Sequence, residues 1–313
     1  MKILYLERKH GNSFSYYNEM RKALSQNATV YQYSNWTPKG NDVVNLKSIL
    51  QACPEEPDVI VFGFGWTDCS ENRPKSVIGL ENCDIPVSII LNKEYAALDK
   101  KLEWIKEVNP VAAFTVHHDH KAYREKTGIP FYQIPFAVNT DVFKNYGVEY
   151  TNDFGFSGII RPEQTDDWRT KIHQKSKDWE GIKFFFTSHR HDSLEQYAKR
   201  INATKIWLST TGPANLVGTR YYEVMASKTT LLVCNRFDRV YDDIIEEDKH
   251  CVMFGSLQEL EDKIRYYLKH DNERMEIINN AYSLVSEKHT WDHRGKFMIS
   301  KLREELGVES AKT

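Results

Sequence analysis

The sequence predicts an α/β protein made of two doubly wound halves, each built around a parallel sheet. Short apolar runs alternate with helical patterns along the first half, and the same alternation returns in the second half. Apolar runs separated by helices are typical of parallel strands that are buried on both faces and joined by right-handed crossovers. The length of 313 residues also exceeds a typical single core, which favours two domains of roughly 150 residues each.

Six strands and the helices between them are predicted in the first half. Apolar residues recur at helical spacing over 13–25 and 94–106, which predicts helices in these two segments. The predicted strands are 2–6, 29–33, 58–63, 87–91, 111–116 and 131–134.

The second half repeats this plan after a polar joint. Polar residues and a glycine interrupt the periodicity over 134–153, as is typical of an inter-domain linker. The chain from residue 257 onward has a helical pattern. The predicted strands are 153–160, 182–187, 204–209, 229–234 and 250–254.

Composition narrows the class of protein. Forty-two basic and 44 acidic side chains give a formal net charge of -2, without the basic surplus of a nucleic-acid-binding protein. The five cysteines are odd in number and form no CxxC pair, which indicates reduced thiols and not a disulfide framework or a zinc site. The first apolar run is too short for a signal peptide, and no segment approaches 18 uninterrupted apolar residues. We expect a cytoplasmic protein without a transmembrane segment; the oligomeric state is not predicted.

Residues 206–234 carry the clearest functional pattern, namely a strand, a glycine-containing loop, a short helix that begins near Gly218, and a second strand. A helix N-terminus at the carboxyl end of a strand offers backbone N–H groups and a positive dipole end to a phosphate. Glu223, one turn into this helix, can accept hydrogen bonds from ribose hydroxyls, as acidic residues do in other nucleotide folds. The stretch therefore predicts a site for a nucleotide diphosphate compound.

Four segments together resemble motifs of the GT-B glycosyltransferases, in particular the group-1-like, nucleotide-sugar-dependent branch. Their joint occurrence in the family's order is more specific than any single motif. They cover about the last 180 residues, whereas the N-terminal half shares only the architecture. The sequence departs from the family at Asn215, where many members have an acidic residue, and at Lys228, where glycine is usual. The segments are IPFAVNTDVF (134–143), FSGIIRPE (156–163), GTRYYEVMASKTTLLV (218–233) and HTWDHR (289–294).

This resemblance implies a GT-B fold, with two Rossmann-like domains whose parallel sheets face a central cleft. The implied domains are an acceptor-side domain over 1–143, a nucleotide-sugar domain over 144–288, and a C-terminal helix over 289–313 that crosses back to the first domain. The implied activity is transfer of a sugar from a nucleotide diphosphate sugar to a saccharide or glycan acceptor. A UDP-sugar is favoured over a GDP-sugar.

On this resemblance, the C-terminal half binds the sugar donor. The fork of the Arg161 guanidinium matches phosphate oxygens and would neutralise the diphosphate, although a salt bridge to Glu163 or Asp166 is an alternative role. Arg220 could act in the same way or pair across its helix. The predicted donor-binding residues are Gly158, Arg161, Ser188, His189, Arg190, Thr210, Thr211, Gly212, Gly218, Thr219, Arg220 and Glu223.

The N-terminal half is expected to hold the acceptor and a general base that removes the proton of the acceptor hydroxyl. Transfer with inversion and a carboxylate base is favoured, and Asp68, which follows an apolar strand and a GFGW turn, is the first choice. Glu94 and His118 are the other catalytic candidates, although carboxylates in turns and at helix starts also serve as caps. His10 and Trp66 are predicted to contact the acceptor, Trp66 by stacking on a sugar face.

In the other class of glycosyltransferases, an Asp-X-Asp pair holds a metal ion against the diphosphate. This sequence contains no such pair, so the resemblance implies a metal-independent mechanism with no cofactor besides the sugar donor. Residues 117–120 have the residue types of a metal site, but adjacent positions of a strand point to opposite faces. Two alternatives stay open: a catalytically silent module that binds nucleotide sugars, and a retaining glycosyltransferase of the same fold. A dinucleotide-dependent oxidoreductase is disfavoured because no G-x-G-x-x-G follows the first strand.

Overall fold

The computed structural model divides into two compact units. The first comprises Met1–Pro135 and Trp291–Thr313, and the second comprises Phe136–Thr290. The residues that the structure describes are 1–8, 15–36, 44–68, 74, 77–160, 163, 167–188, 193–237, 241 and 244–308.

The first unit contains a six-stranded sheet in which all neighbouring strands are parallel, as predicted. Its strands are β1 (Lys2–Arg8), β2 (Thr29–Trp36), β4 (Val59–Phe62), β6 (Val87–Leu91), β7 (Ala112–Thr115) and β8 (Phe131–Gln133), and a separate short pair is formed by β3 (Val44–Asn45) and β5 (Val77–Ile78). The order across the large sheet is β2-β1-β4-β6-β7-β8. Strands β4, β6 and β7 are buried along their whole length, which explains why their sequences are apolar without alternation.

Helices connect these strands. They are α1 (Ser15–Asn27), α2 (Leu46–Gln51), α3 (Leu98–Val108) and α4 (His120–Thr127), with a 3-10 turn at Leu80–Asn82. Helix α3 begins later than predicted, because residues 92–97 form a turn in which Lys93 and Ala97 have left-handed backbone conformations (φ 54° and 50°). Glu94 therefore lies in this turn and not on the first turn of a helix.

The second unit repeats the plan with a five-stranded parallel sheet in the order β10-β9-β11-β12-β13. Its strands are β9 (Asn152–Ser157), β10 (Phe184–Thr187), β11 (Thr204–Ser209), β12 (Leu231–Asn235) and β13 (Val252–Phe254). Its helices are α5 (Trp168–Lys175), α6 (Leu194–Asn202), α7 (Thr219–Ala226), α8 (Leu257–Lys269) and α9 (Asp271–Lys288), with 3-10 turns at Ser176–Asp178 and Pro213–Asn215.

The last helix, α10 (Trp291–Glu305), belongs to the first unit and packs against α1. A Cβ atom at Gly295 would lie 2.7 Å from the Ala23 carbonyl oxygen, so the two backbones approach closely at this glycine. Arg294 donates a hydrogen bond from Nε to the Pro135 carbonyl at 2.7 Å. The HTWDHR segment thus supplies the hydrogen bond to residue 135, and the close helix contact follows directly after it at Gly295. Among the described residues, no helix has both the length and the apolar character needed to span a bilayer.

The backbone at Lys228 explains why glycine is usual at this position in the family. Its backbone has φ 57°, a left-handed conformation that glycine adopts without strain and that costs other residues about 1–2 kcal/mol. Its ammonium lies 4.7 Å from the centroid of the Tyr282 ring. The glycine expected at this position therefore serves the backbone turn after α7.

We expect Lys228→Gly to have a higher free energy of unfolding than Lys228→Ala by about 1 kcal/mol, because only glycine relieves the left-handed strain. Both substitutions remove the contact of the ammonium with the Tyr282 ring, so the difference between their free energies of unfolding reports only the strain of the backbone at this position. Chemical denaturation of the two variants measures it. Equal stability of the two would show that the turn relaxes to another conformation.

Candidate functional site

The candidate sugar-donor site lies at the carboxyl edge of the second unit's sheet. Because its strands are parallel, Gly158 after β9 and Thr210 after β11 lie at the same edge, where α7 also begins. Gly158 has φ 152°, and its N–H donates to the Thr187 carbonyl at the end of β10. This conformation and the adjoining Arg169 side chain favour glycine here.

Arg169 is a cationic residue of this edge that sequence reasoning missed. Its Nε donates to the Thr210 hydroxyl at 2.7 Å, and its Nη1 would lie 3.4 Å from a Cβ atom at Gly158. Asp167 caps α5 by accepting from the Thr170 N–H at 3.1 Å, which fixes Arg169 in the first turn of that helix. The sequence could have indicated this contact only through the position of Arg169, which follows the loop after β9 and so lies near the carboxyl edge of the sheet.

The loop from Thr210 to Gly218 is held in a defined shape. Thr211 and the Asn235 side chain exchange two hydrogen bonds, at 2.9 and 3.1 Å. The Gly212 N–H donates to the Leu216 carbonyl at 2.8 Å, and Ala214 and Asn215 between them have left-handed backbones. Asn215 is among the residue types that tolerate this conformation best. The departure from the family at this position therefore lies within a tight turn.

The N-terminus of α7 follows this loop. Within the part of the chain that the structure describes, no side chain caps it at Gly218, so the N–H groups of its first turn have no capping acceptor. Glu223 is only 8% exposed. Burial raises its pKa, against the opposing effects of the Arg220 charge and a hydrogen bond from Thr219.

Arg220 contacts a different partner from those considered in the sequence. Its Nε donates to the Tyr197 hydroxyl at 3.0 Å, and the Ser157 hydroxyl lies 3.4 Å from the same oxygen. Tyr197 itself is buried, so the guanidinium is anchored to the interior of the second unit.

Among the other predicted site residues, Ser188 is exposed at the end of β10. Arg161, His189 and Arg190, and His10 of the first half, lie outside the described residues.

In the first unit, the structure brings Asp68 together with residues of α1 and of the turn after β6. Asp68 accepts hydrogen bonds from the Tyr17 hydroxyl and, at 2.8 Å, from Asn92 Nδ2. Lys93 Nζ lies 2.8 Å from Asp68 Oδ2, the oxygen that also accepts from Tyr17, and the Asp68 side chain is fully buried. The carboxylate is thus engaged by several protein groups, which disfavours it as a base that an acceptor hydroxyl must reach.

Glu94 is also buried, at the neighbouring strand ends. Its Oε1 accepts a hydrogen bond from the Thr115 hydroxyl, and that hydroxyl in turn accepts from the His117 N–H at 3.1 Å. Burial raises the pKa of Glu94, although the Thr115 hydrogen bond and the nearby His117 and Lys101 lower it in part. Its Oε2 has no hydrogen-bond partner among the described residues.

His118 is the catalytic candidate with the most accessible side chain, which is 14% exposed. Its Nε2 lies 3.5 Å from Asp119 Oδ1, and its ring stacks on that of His117 with centroids 4.0 Å apart. The ligand atoms of His117, His118 and Asp119 lie within 4.8 Å of one another. However, His117 Nδ1 accepts the Asp119 N–H at 3.2 Å, and this hydrogen bond competes with a metal for that nitrogen.

Trp66 does not occupy the position that its predicted role requires. Its side chain is fully buried and packs edge-on against Phe62, with centroids 4.9 Å apart. The structure therefore corrects the prediction that Trp66 stacks on a sugar face. Tyr95, beside Glu94, is 51% exposed and is the aromatic residue of this turn that reaches solvent.

Comparisons with known proteins relate part of the chain to a glycosyltransferase family. The model of the family described as "Glycosyl transferase-like" matches residues 159–300. The spore protein CgeB of Bacillus subtilis (strain 168) is 25% identical over 178 residues, which are 55% of this chain and 52% of that protein. The chain thus spans about half the length of this relative.

Solved structures share the fold at low sequence identity. A glycosyltransferase from Rickettsia africae has a TM-score of 0.66 at 11% identity, with coverage of 98% of this chain and 99% of that chain. Anabaena Alr3699/HepE, in complex with UDP-glucose, has a TM-score of 0.63 at 14% identity and covers 97% of this chain and 100% of its own. These findings confirm the resemblance seen in the sequence: the chain has the GT-B fold, and its residues 159–300 match the glycosyl transferase-like family.

Proposed function

We propose that this protein transfers a sugar from a UDP-sugar to a hydroxyl of a saccharide or glycan acceptor, without a metal ion. The observation that carries this proposal is the convergence of Arg169, Thr210 and the uncapped N-terminus of α7 at one sheet edge. These groups come from separate elements and suit a diphosphate. Solved relatives of the same fold, Alr3699/HepE and the T4 phage BGT, hold UDP-glucose, which supports uridine as the base.

Each part of the sugar donor has a proposed partner. Arg169 and the N–H groups of α7 bind the diphosphate, with the backbone and hydroxyls of Thr210, Thr211 and Gly212 beside it. Glu223, which is buried beside the charge of Arg220 and a hydrogen bond from Thr219, accepts further hydrogen bonds from the ribose hydroxyls.

The proposed reaction is a single displacement with inversion. The acceptor oxygen attacks the anomeric carbon and loses its proton to a general base. The bond from the anomeric carbon to the diphosphate oxygen breaks, and its electron pair leaves with the diphosphate. Arg169 and the α7 dipole stabilise the charge that develops on this leaving group.

We favour His118 as the general base over Asp68 and Glu94. A base must lie within hydrogen-bond reach of the acceptor hydroxyl, and the two carboxylates are buried and engaged by neighbouring groups. His118 reaches solvent, and the Asp119 carboxylate 3.5 Å from its Nε2 would stabilise the imidazolium that forms.

Arg169→Met and Glu223→Gln test the sugar-donor site by calorimetry with UDP and with uridine. We expect Arg169→Met to weaken UDP binding by about 10- to 100-fold, because a charge-assisted hydrogen bond to phosphate is lost, and to leave uridine binding unchanged. Glu223→Gln is expected to weaken both ligands, since both carry the ribose.

Lys175→Met is the matched control, because Lys175 is an exposed cation of the same helix as Arg169. Its UDP affinity is expected to equal that of the wild type. If wild-type protein binds no uridine nucleotide, or if Arg169→Met weakens UDP no more than uridine, the proposed diphosphate site is wrong. Release of UDP from a UDP-sugar only in the presence of an acceptor would distinguish an enzyme from a silent binding module.

A further inference from the structure

Lys101 is a lysine of the first unit whose side chain is completely buried. It lies on α3 and points back to the turn that follows β6. Its Nζ donates to the carbonyl oxygens of Asn92 and Lys93, both at 2.9 Å. A buried ammonium is costly unless well-placed acceptors replace its water, and an apolar residue of similar length would fill the same volume without that cost.

The turn that Lys101 contacts has an unusual backbone. Lys93 has φ 54°, a left-handed conformation, and its carbonyl also accepts the Ala96 N–H at 3.0 Å. The Asn92 N–H is fixed in turn by the Thr67 hydroxyl at 2.9 Å. Two successive carbonyl oxygens therefore point into the interior of the unit, where the ammonium satisfies them.

The side chains of the same turn contact residues at the carboxyl ends of the first unit's strands, including Asp68 and Thr115; we call this region the acceptor edge. Asn92 and Lys93 both bind Asp68, Glu94 binds Thr115, and Thr115 binds the backbone N–H of His117, next to His118. The position of these groups relative to one another thus depends on the backbone of residues 92–94.

We infer that Lys101 is a positioning residue of the transfer reaction, which fixes the turn 92–94 and through it the polar groups of the acceptor edge. This inference rests on the proposed function. Lys101 touches neither of the proposed substrates and is proposed to act through the turn, while its charge also lowers the pKa of the buried Glu94 in part. It does not contribute to the sugar-donor site, whose residues all lie in the second unit.

The test compares Lys101→Met with Lys106→Met, an exposed lysine of the same helix. Hydrogen exchange followed by mass spectrometry reports on the amides of residues 92–97, and initial rates with a UDP-sugar and an acceptor report on transfer. We expect Lys101→Met to speed exchange in this turn and to lower kcat about 100-fold, as a small misplacement of reacting groups can do, with the Kd of UDP unchanged. Lys106→Met is expected to change neither.

A purely structural lysine would lower the melting temperature and leave kcat of the folded protein unchanged, and that result would overturn the inference. Unchanged exchange at residues 92–97 would overturn it as well, whatever the rates. Absence of transfer by the wild type would refute the proposed function, whereas the exchange result would still decide whether Lys101 holds the turn. Should Lys101→Met not fold, the ammonium protons of Lys101 can be followed by NMR in the wild type, where exchange as fast as that of surface lysines would contradict the contacts described.

Discussion

Replacing His118 by glutamine is expected to lower kcat of sugar transfer by about 10²- to 10⁴-fold, the range that a general base contributes. Glutamine keeps a polar side chain of similar reach but cannot take up the proton of the acceptor hydroxyl. His118 belongs to the first unit, and the residues that bind the nucleotide in our proposal belong to the second, so the Kd of UDP is expected to stay unchanged. Initial rates and calorimetry on the same preparation measure both quantities.

Substitutions of the carboxylates Asp119 and Asp68 test whether His118 is the general base. Asp119→Asn is expected to lower kcat less than His118→Gln does, because Asp119 only supports the charged imidazole. Asp68→Asn is expected chiefly to lower the free energy of unfolding, since it leaves Lys93 and Tyr17 without their buried carboxylate. If Asp68→Asn instead abolishes transfer at unchanged stability, while His118→Gln stays active, Asp68 is the base.

Gly295→Ala is expected to destabilise the protein by about 2–3 kcal/mol, as overpacking of a close contact does. The added methyl group would lie 2.7 Å from the Ala23 carbonyl oxygen and 2.9 Å from the Ala23 Cβ, so α10 must move away from α1. The sign of the change in the free energy of unfolding is informative, because replacing glycine by alanine within a helix otherwise stabilises a protein by about 0.5–1 kcal/mol. Urea or thermal unfolding gives the free energy of unfolding directly.

Ser300→Ala is the control on the same helix, because Ser300 is exposed. It is expected to keep or slightly raise the free energy of unfolding, through the higher helix propensity of alanine. A Gly295→Ala variant as stable as the wild type would show that the two helices separate at little cost.

The fold was largely predictable because local periodicity and burial agree. The predicted strand, loop, helix and strand over 206–234 correspond to β11, the 210–218 loop, α7 and β12. Apolar runs mark strands buried on both faces, and the glycine-bearing segment marks the start of α7, so neither inference needed a long-range contact.

The side-chain partners were not predictable in the same way. Arg169 meets Thr210 across 41 residues, and Asp68 meets Tyr17 across 51, so tertiary packing alone decides both contacts. Trp66 shows a related difficulty: a tryptophan after a glycine-rich turn is equally compatible with a sugar platform and with a core residue, and only the structure reveals its contact with Phe62. Sequence patterns therefore located the edges of both sheets better than the roles of individual groups on them.

The two units differ in how the chain builds them. The second is one continuous segment, whereas the first combines Met1–Pro135 with the helix that begins at Trp291. During translation, the first unit therefore lacks α10 until residues 291–305 have been made, and the side of α1 that packs on α10 stays exposed to solvent until then. Such an intermediate on the ribosome is the stage at which aggregation or chaperone capture is most expected.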